Sequence, residues 1–435
     1  MNFIDRTFLG WHSEVEMAAA MPAGMLHFAL VCFPMGIAAY TNTFVAQYHG
    51  AKRIDRIGPS VWQGIRIGWY AMPFYLAIIP LAPWIFLHLA NHAPLLAWQE
   101  VRFFQVVSFA AGAEIMAPAM AAFFTGRGKT RVVMLVDASA YLLNGVLAYA
   151  WIFGRAGQPA LGIEGSAWAT VVSLWYRVVV YACLLSLPRF RSYHLWQSRR
   201  YDAALFRRFL RFGGPSGLQF FVEIAGFTLF LLVVGRLGER AMAATTLAFT
   251  LNNLAFMPPL GLGIALSIIV GRQLGRNDPD LAERATWTSL AMVMGYMSVA
   301  ALFYVLLPNV LLMGLAAGIS PAELDKFEHL RGDTIVLLRF VAAYSLFDAM
   351  NITFASALKG AGDTRFIMIM SFALTPLPLL AAWLGMRFFD LGLLWCWTAI
   401  TGWACALGVI YLLRFLHGRW RHIRVIEPEF TDEEG

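Results

Sequence analysis

Two carboxylates, Glu223 and Asp348, lie deep inside long apolar runs of the chain. An ionised side chain at mid-bilayer costs roughly 2.5–3.5 kcal/mol on insertion scales, so acids kept there are functional candidates by default. Glu223 stands twelve residues before Gly235, which puts it ~18 Å below the outer end of its helix. Asp348 stands fifteen residues after Asp333, ~22 Å below the outer end of its own. Both therefore fall near the midplane, at similar depth. Two carboxylates in one dry cavity repel each other, and a proton or a sodium ion would relieve the repulsion. The pair reads as a site for a coupling ion, the alternative being two unrelated, protonated structural acids.

Other charges carry weaker signals. Glu114 and Arg177 both fall near mid-depth, and they are expected to form a buried ion pair, with a substrate role for Glu114 as the second reading. Asp137, near a cytoplasmic end, should be solvated, and Arg339 is close enough to its helix end to snorkel. His88 and His92 have metal-like spacing but no third ligand, so no metal is expected. Phe256 and Met257, beside Pro258, are the weak candidates for lining a substrate cavity, because methionine surfaces adapt to varied shapes. Gly128-Lys129-Thr130 lacks the earlier glycine of a phosphate loop, having Phe123 in its place, and there is no HExxH pair. Neither nucleotide hydrolysis nor zinc proteolysis is supported, so no enzyme and no cofactor is expected.

The elements that hold these residues must be membrane helices. The chain of 435 residues is 59% apolar and only 14% charged, too little charge for a soluble protein of this length. Apolar runs of membrane-span length recur at roughly 17–47, 62–89, 100–125, 131–153, 164–187, 206–235, 242–271, 285–314, 333–359, 365–387 and 391–416. Residues 1–9 are too short to cross a bilayer and read as the end of a first helix whose front is missing. The segments assigned to the cytoplasm hold 22 Lys and Arg residues and the opposite loops six, which sets the orientation and accounts for the net charge of +7 without nucleic acid. Prolines inside the spans, at 22, 34, 118, 258, 259, 376 and 378, permit bends. The four cysteines lie in apolar runs without metal spacing and read as small buried residues.

The chain also repeats itself. Shifted by 225 positions and without a gap, Gly10 falls on Gly235, Met17-Ala18-Ala19 on Met242-Ala243-Ala244, Pro34 on Pro259, Gly36 on Gly261, Asp55 on Asp280 and Trp62 on Trp287. Six spans separate the copies, so both cross in the same direction. The expected fold is all-α and integral to the membrane: two parallel six-helix bundles related by a pseudo-two-fold along the membrane normal, with the first helix truncated. The expected division is 1–193 for the first bundle, 194–212 for a basic cytoplasmic linker, 213–417 for the second bundle and 418–435 for a polar, acidic tail.

Several stretches, taken together, resemble the multidrug and toxic compound extrusion (MATE) family, in its NorM branch. Gly213-Gly214-Pro215-Ser216-Gly217-Leu218-Gln219-Phe220-Phe221-Val222-Glu223 looks like that family's seventh helix. Asp348, followed by Leu358-Lys359-Gly360-Ala361-Gly362-Asp363-Thr364-Arg365, looks like its signature at the tenth helix. Gly126-Arg127-Gly128-Lys129-Thr130-Arg131 is the first-half version, and Asn144 with Pro159 to Gly165 matches the fifth helix and its loop. The resemblance implies an antiporter. A cation, sodium or proton, would drive export of amphipathic, often cationic compounds by alternating access, with acids at the positions of Glu223 and Asp348 coupled to the ion. It also implies ion-site roles for Asp5 and Asn144 in the first half. The sequence departs from the pattern at Ala148, where many members carry an Asp one turn after the Asn. The expected setting is a bacterial inner membrane, with both termini cytoplasmic and the protein acting as a monomer on a small-molecule substrate. A lipid-linked precursor flippase and a non-transporting scaffold are the competing readings.

Overall fold

The computed structural model describes residues 2–89, 92–155, 157, 159–193, 195, 197–316 and 324–427. The end of the acidic tail, beyond 427, and residues 317–323 lie outside the described residues. Within them the chain is helical and carries 11 helices long and apolar enough to cross a membrane, at Glu14–Gly50, Ile54–His88, Pro94–Thr125, Thr130–Ile152, Gly162–Leu185, Ala203–Gly235, Glu239–Gly275, Pro279–Leu306, Leu330–Ala361, Thr364–Phe389 and Leu393–Leu416. The apolar runs found these spans. One was overrun: the run at 285–314 is two helices, because Leu307 leaves the helical region and Pro308 opens a new short helix. Proline has no N–H to give the preceding turn, and it suits a first helical position.

By packing the chain divides into two compact units, Met1–Phe221 and Val222–Gly435. In the first unit, α1 (Asn2–His12) lies against α2 (Glu14–Ala39) and α7 (Thr130–Ile152). Between these come α3 (Thr41–Gly50), α4 (Ile57–Ile78), α5 (Pro94–Val107) and α6 (Ala111–Thr125), and α8 (Gly162–Leu185) follows, paired with α7. Helix α9 (Ala203–Gly235) begins inside the stretch read as a linker and runs on through the division between the units. The second unit continues with α10 (Glu239–Gly275), α11 (Pro279–Leu306), α12 (Pro308–Ala316) and α13 (Leu324–Ala361). It ends with α14 (Thr364–Leu374), α15 (Pro376–Phe389) and α16 (Leu393–Leu416). Its core is α13, which packs against α10, α11 and α16.

The repeat is visible in the backbone. Lys52 and Asn277, 225 positions apart, both adopt left-handed φ, 60° and 57°. Each closes the end of a helix with the same hydrogen bonds: Ala51 N–H to Gln47 O and Arg53 N–H to Tyr48 O in the first copy, Arg276 N–H to Arg272 O and Asp278 N–H to Gln273 O in the second. The two signature loops match as well. Gly128 and Gly362 have φ of 77° and 98°, the conformation a glycine supplies at a helix end. The residue after each returns a hydrogen bond, Lys129 to Phe124 O and Asp363 to Leu358 O. The two copies therefore close corresponding helix ends with the same backbone hydrogen bonds.

Candidate functional site

In the second unit, Glu223 sits on α9, Asp348 on the middle of α13 and Tyr411 on α16. Asp348 is 8% exposed and Glu223 is half-buried. The Glu223 carboxylate is close enough for its charge to act on Asp348, on Lys359 and on the Tyr411 hydroxyl. Asn351, on the next turn of α13, donates from Nδ2 to Asp348 Oδ1 at 3.3 Å. Tyr344, one turn the other way, is buried and feels the Asp348 charge. Ser371 and Tyr411 exchange a hydrogen bond of 3.5 Å between their hydroxyls. Below this group, Arg414 Nε donates to Asp363 Oδ2 at 2.7 Å, and its guanidinium stacks over Phe366 at 4.4 Å, so the signature loop is tied to α16. The apolar run at 333–359 ends on Lys359. Helix α13 continues to Ala361, which places Lys359 in its last turn, where a cation also complements the helix dipole.

In the first unit, Asp5 on α1 is 6% exposed, and Thr170 on α8 donates from Oγ1 to its Oδ2 at 3.1 Å. Asn144 on α7 donates from Nδ2 to the same hydroxyl at 3.5 Å. The other oxygens of the two side chains, Asp5 Oδ1 and Asn144 Oδ1, are buried with no protein partner. Buried acceptors left this way are rare and suit a small cation. Thr170 joins Asp5 to Asn144 and was not singled out from sequence, since a threonine in an apolar helix carries no signal alone. Ala148 is fully buried in an apolar cluster with Leu9, Ala19, Ile152 and Ile163, so the place of the missing carboxylate is filled by packing.

The expected pair of Glu114 and Arg177 does not form. Arg177 Nη2 lies 3.0 Å from Asp137 Oδ1, which also accepts from the Tyr181 hydroxyl at 3.2 Å. Asp137 is therefore paired rather than solvated. It lies seven residues inside α7 and Arg177 eight residues inside the far end of antiparallel α8, so both sit at the same depth, ~11–12 Å in. Glu114 instead meets a residue that sequence reasoning missed: its Oε2 is 3.0 Å from His27 Nε2 on α2. His27, Glu114, Asp5, Arg6 and Thr170 line one cavity of about 190 Å³ within this unit, whose apolar wall includes Phe28 and Phe103. A lone histidine in a run of apolar residues gave no hint of a partner 87 positions away.

The remaining sequence candidates stand apart from these two groups of residues. His92 holds the buried Glu100 through Nδ1 at 2.8 Å, while His88 is exposed. Met257 is 59% exposed and Phe256 half-buried on the surface of α10.

Comparison with known proteins gives a consistent picture. The MatE family model matches residues 1–150 and 215–384. The probable multidrug resistance protein NorM of Brucella suis biovar 1 is 29% identical over 431 residues, covering 96% of this chain and 88% of that protein. The multidrug resistance protein PmpM of Pseudomonas aeruginosa is 28% identical over 373 residues, covering 85% and 76%. Among solved structures, an outward-facing multidrug resistance MATE family transporter of the MOP superfamily aligns with a TM-score of 0.85 at 17% identity, over 97% of this chain and 92% of that one. The eukaryotic MATE transporter AtDTX14 aligns with a TM-score of 0.80 at 19% identity, over 97% and 92%. At such identities the structures speak to the fold.

Proposed function

The chain belongs to the MatE family of multi-pass membrane transporters, and from that premise we propose that it exports small amphipathic, often cationic organic compounds in exchange for a cation, sodium or proton, by alternating access. The observation that carries this reading is the buried Asp348 carboxylate with the Glu223 charge acting on it. With Lys359 also in reach of Glu223, the fully ionised trio carries one net negative charge. One monovalent cation balances it. Burial makes that balance matter, since an uncompensated charge in a low-dielectric site is costly. Asp5, Asn144 and Thr170 offer oxygen ligands for a second ion in the first unit. The names of the relatives, multidrug resistance proteins NorM and PmpM, support the substrate class. An anionic lipid-linked carrier is disfavoured, because the cavity of the first unit sets Asp5 and Glu114 against Arg6 alone among its lining residues. The setting proposed is the bacterial cytoplasmic membrane, with both termini on the cytoplasmic side and the protein acting as a monomer.

The test is ethidium efflux from membrane vesicles with separately imposed proton and sodium gradients. The gradient that drives efflux in the wild type names the ion. Glu223→Gln and Asp348→Asn should abolish gradient-driven efflux at unchanged protein levels, and undiminished efflux in either variant would remove the assignment.

A further inference from the structure

Helix α2 brings His27 to face Glu114, and the pair has features that an inert structural contact does not need. His27 is 5% exposed, and it uses one ring nitrogen, Nε2, on Glu114 Oε2 at 3.0 Å. Its other nitrogen, Nδ1, is buried with no partner in the protein. Both residues line the cavity of about 190 Å³. That volume is below the range of whole-drug pockets, so it fits the charged end of an amphipathic molecule and leaves the remainder outside.

The other titratable and charged groups that face His27 are few. Helix α1 brings Asp5 and Arg6 to the same cavity. Helix α4 brings Tyr75, whose hydroxyl donates to Leu30 O at 2.7 Å, and α2 itself carries Cys32, which bonds Ala29 O. Helices α5 and α8 contribute Phe103, Val107, Ser166, Thr170 and Leu174 to the lining, none of them charged. Their own charges are engaged elsewhere: Glu100 by His92, Arg102 by Glu164 and Arg177 by Asp137. Asp5 and Arg6 offset one another in formal charge. Glu114 is the acid in contact with His27, and the second nitrogen of that imidazole, Nδ1, has no partner in the protein and can take a proton.

We propose that the His27–Glu114 pair is a proton-for-cation exchange site: Glu114 is the counter-charge for the cationic end of the exported compound, and protonation of His27 displaces that compound. This rests on the export reading above and adds a site, in the first unit, to the Glu223–Asp348 pair. The balance is one for one. With a cation bound, Glu114 is ionised and His27 is neutral, its Nε2–H donating to the carboxylate. A proton entering at Nδ1 makes an imidazolium, which neutralises Glu114 from 3.0 Å away. The organic cation then loses its counter-charge and leaves, and the net charge of the cavity is unchanged. The exchange runs in both directions. A cation that fills the cavity also expels the water that a protonated Nδ1 would need as its acceptor, so occupancy and protonation exclude each other.

The experiment uses the purified full-length protein in detergent and 1-methyl-4-phenylpyridinium as probe. This flat cation is permanently charged, so any proton released on binding comes from the protein. Wild-type protein should release up to one proton per probe bound in weakly buffered solution. Its Kd should rise roughly tenfold for each pH unit on the acidic side, the slope for one linked proton. Placed on the Glu223→Gln/Asp348→Asn background, which removes any proton held in the second unit, His27→Gln should still bind the probe while losing both the release and the slope, with His27→Asn as a second variant should the first not fold. Glu114→Gln should lose binding by tenfold or more. The double variant Glu223→Gln/Asp348→Asn should keep both the release and the slope, which separates this site from the ion pair of the second unit. Proton release that persists in His27→Gln or His27→Asn on that background, its disappearance in the double variant, unchanged binding in Glu114→Gln, or no release by the wild type would each overturn the proposal. Failure of vesicle efflux in Glu223→Gln alone bears only on the coupling reading.

Discussion

Which carboxylate meets which cation was the least legible feature at the scale of the residue. Acids and bases in apolar runs announce themselves by cost, so Glu223, Asp348, Glu114 and Arg177 were all found. Their partners depend on rotation about the helix axis and on which helices neighbour one another, and a single sequence carries neither in a form that can be read at one position. Arg177 therefore went to Asp137, and Glu114 to His27. The correction has a measurable consequence. Removing one partner of a buried ion pair leaves an uncompensated charge, at a cost of roughly 3–5 kcal/mol when burial is complete. Asp137 and Arg177 are 26% and 15% exposed, so about half that cost is expected. Asp137→Asn should lower the apparent unfolding midpoint in detergent, and Asp137→Leu/Arg177→Met should recover most of the loss. Glu114→Gln should leave the midpoint within the scatter of the wild type, since it strands no arginine. A fall in Glu114→Gln as large as in Asp137→Asn would restore the pairing expected from sequence.

Helices and their ends were far more legible. Length, hydropathy and Gly/Pro punctuation located all eleven spans, because the bilayer imposes one length scale on every one of them. The errors came at ends set by backbone chemistry rather than by hydropathy: the break at Leu307–Pro308, and the run of α13 past Lys359 to Ala361. The signature loop shows why its small residues are there. A Cβ on Gly360 would run into the carbonyl oxygen of Ser267 on α10, a backbone atom that cannot step aside. Helix α13 packs more heavily on α10 than on any other element, so Gly360→Ala must push the two helices apart. Overpacking of this kind costs about 1–3 kcal/mol. By contrast, a Cβ on Gly261, also on α10, meets nothing within 4 Å. Gly261→Ala should stabilise by up to ~1 kcal/mol through helix propensity. Opposite shifts in the unfolding midpoint are the expected result, and equal shifts would contradict the packing at Gly360.

For the molecule as a whole, the repeat was read from sequence at a single offset, and the structure repeats it in backbone detail at Lys52 and Asn277. The reason is physical: a helix end must satisfy its last carbonyls in one of a few ways, so a duplicated gene keeps the solution even where the side chains drift. Orientation rests on a different and independent signal, the 22 basic residues in one set of loops against six in the other. That bias is large enough to be tested loop by loop. The four cysteines, of which Cys183 is exposed and Cys32 and Cys396 are buried, would first be replaced. Single cysteines are then placed at exposed loop positions, by Lys129→Cys and Arg276→Cys in two loops assigned to the cytoplasm and by Ala160→Cys and Gly392→Cys in two loops assigned outside. In intact cells a membrane-impermeant maleimide should label the second pair and spare the first until the membrane is opened. Lys129 and Arg276 stand one in each unit, so they also test whether the two copies cross the membrane in the same direction. Labelling of Lys129→Cys and Arg276→Cys from opposite sides would make the repeats inverted rather than parallel, and Asp5 and Asp348 would then serve two differently oriented halves.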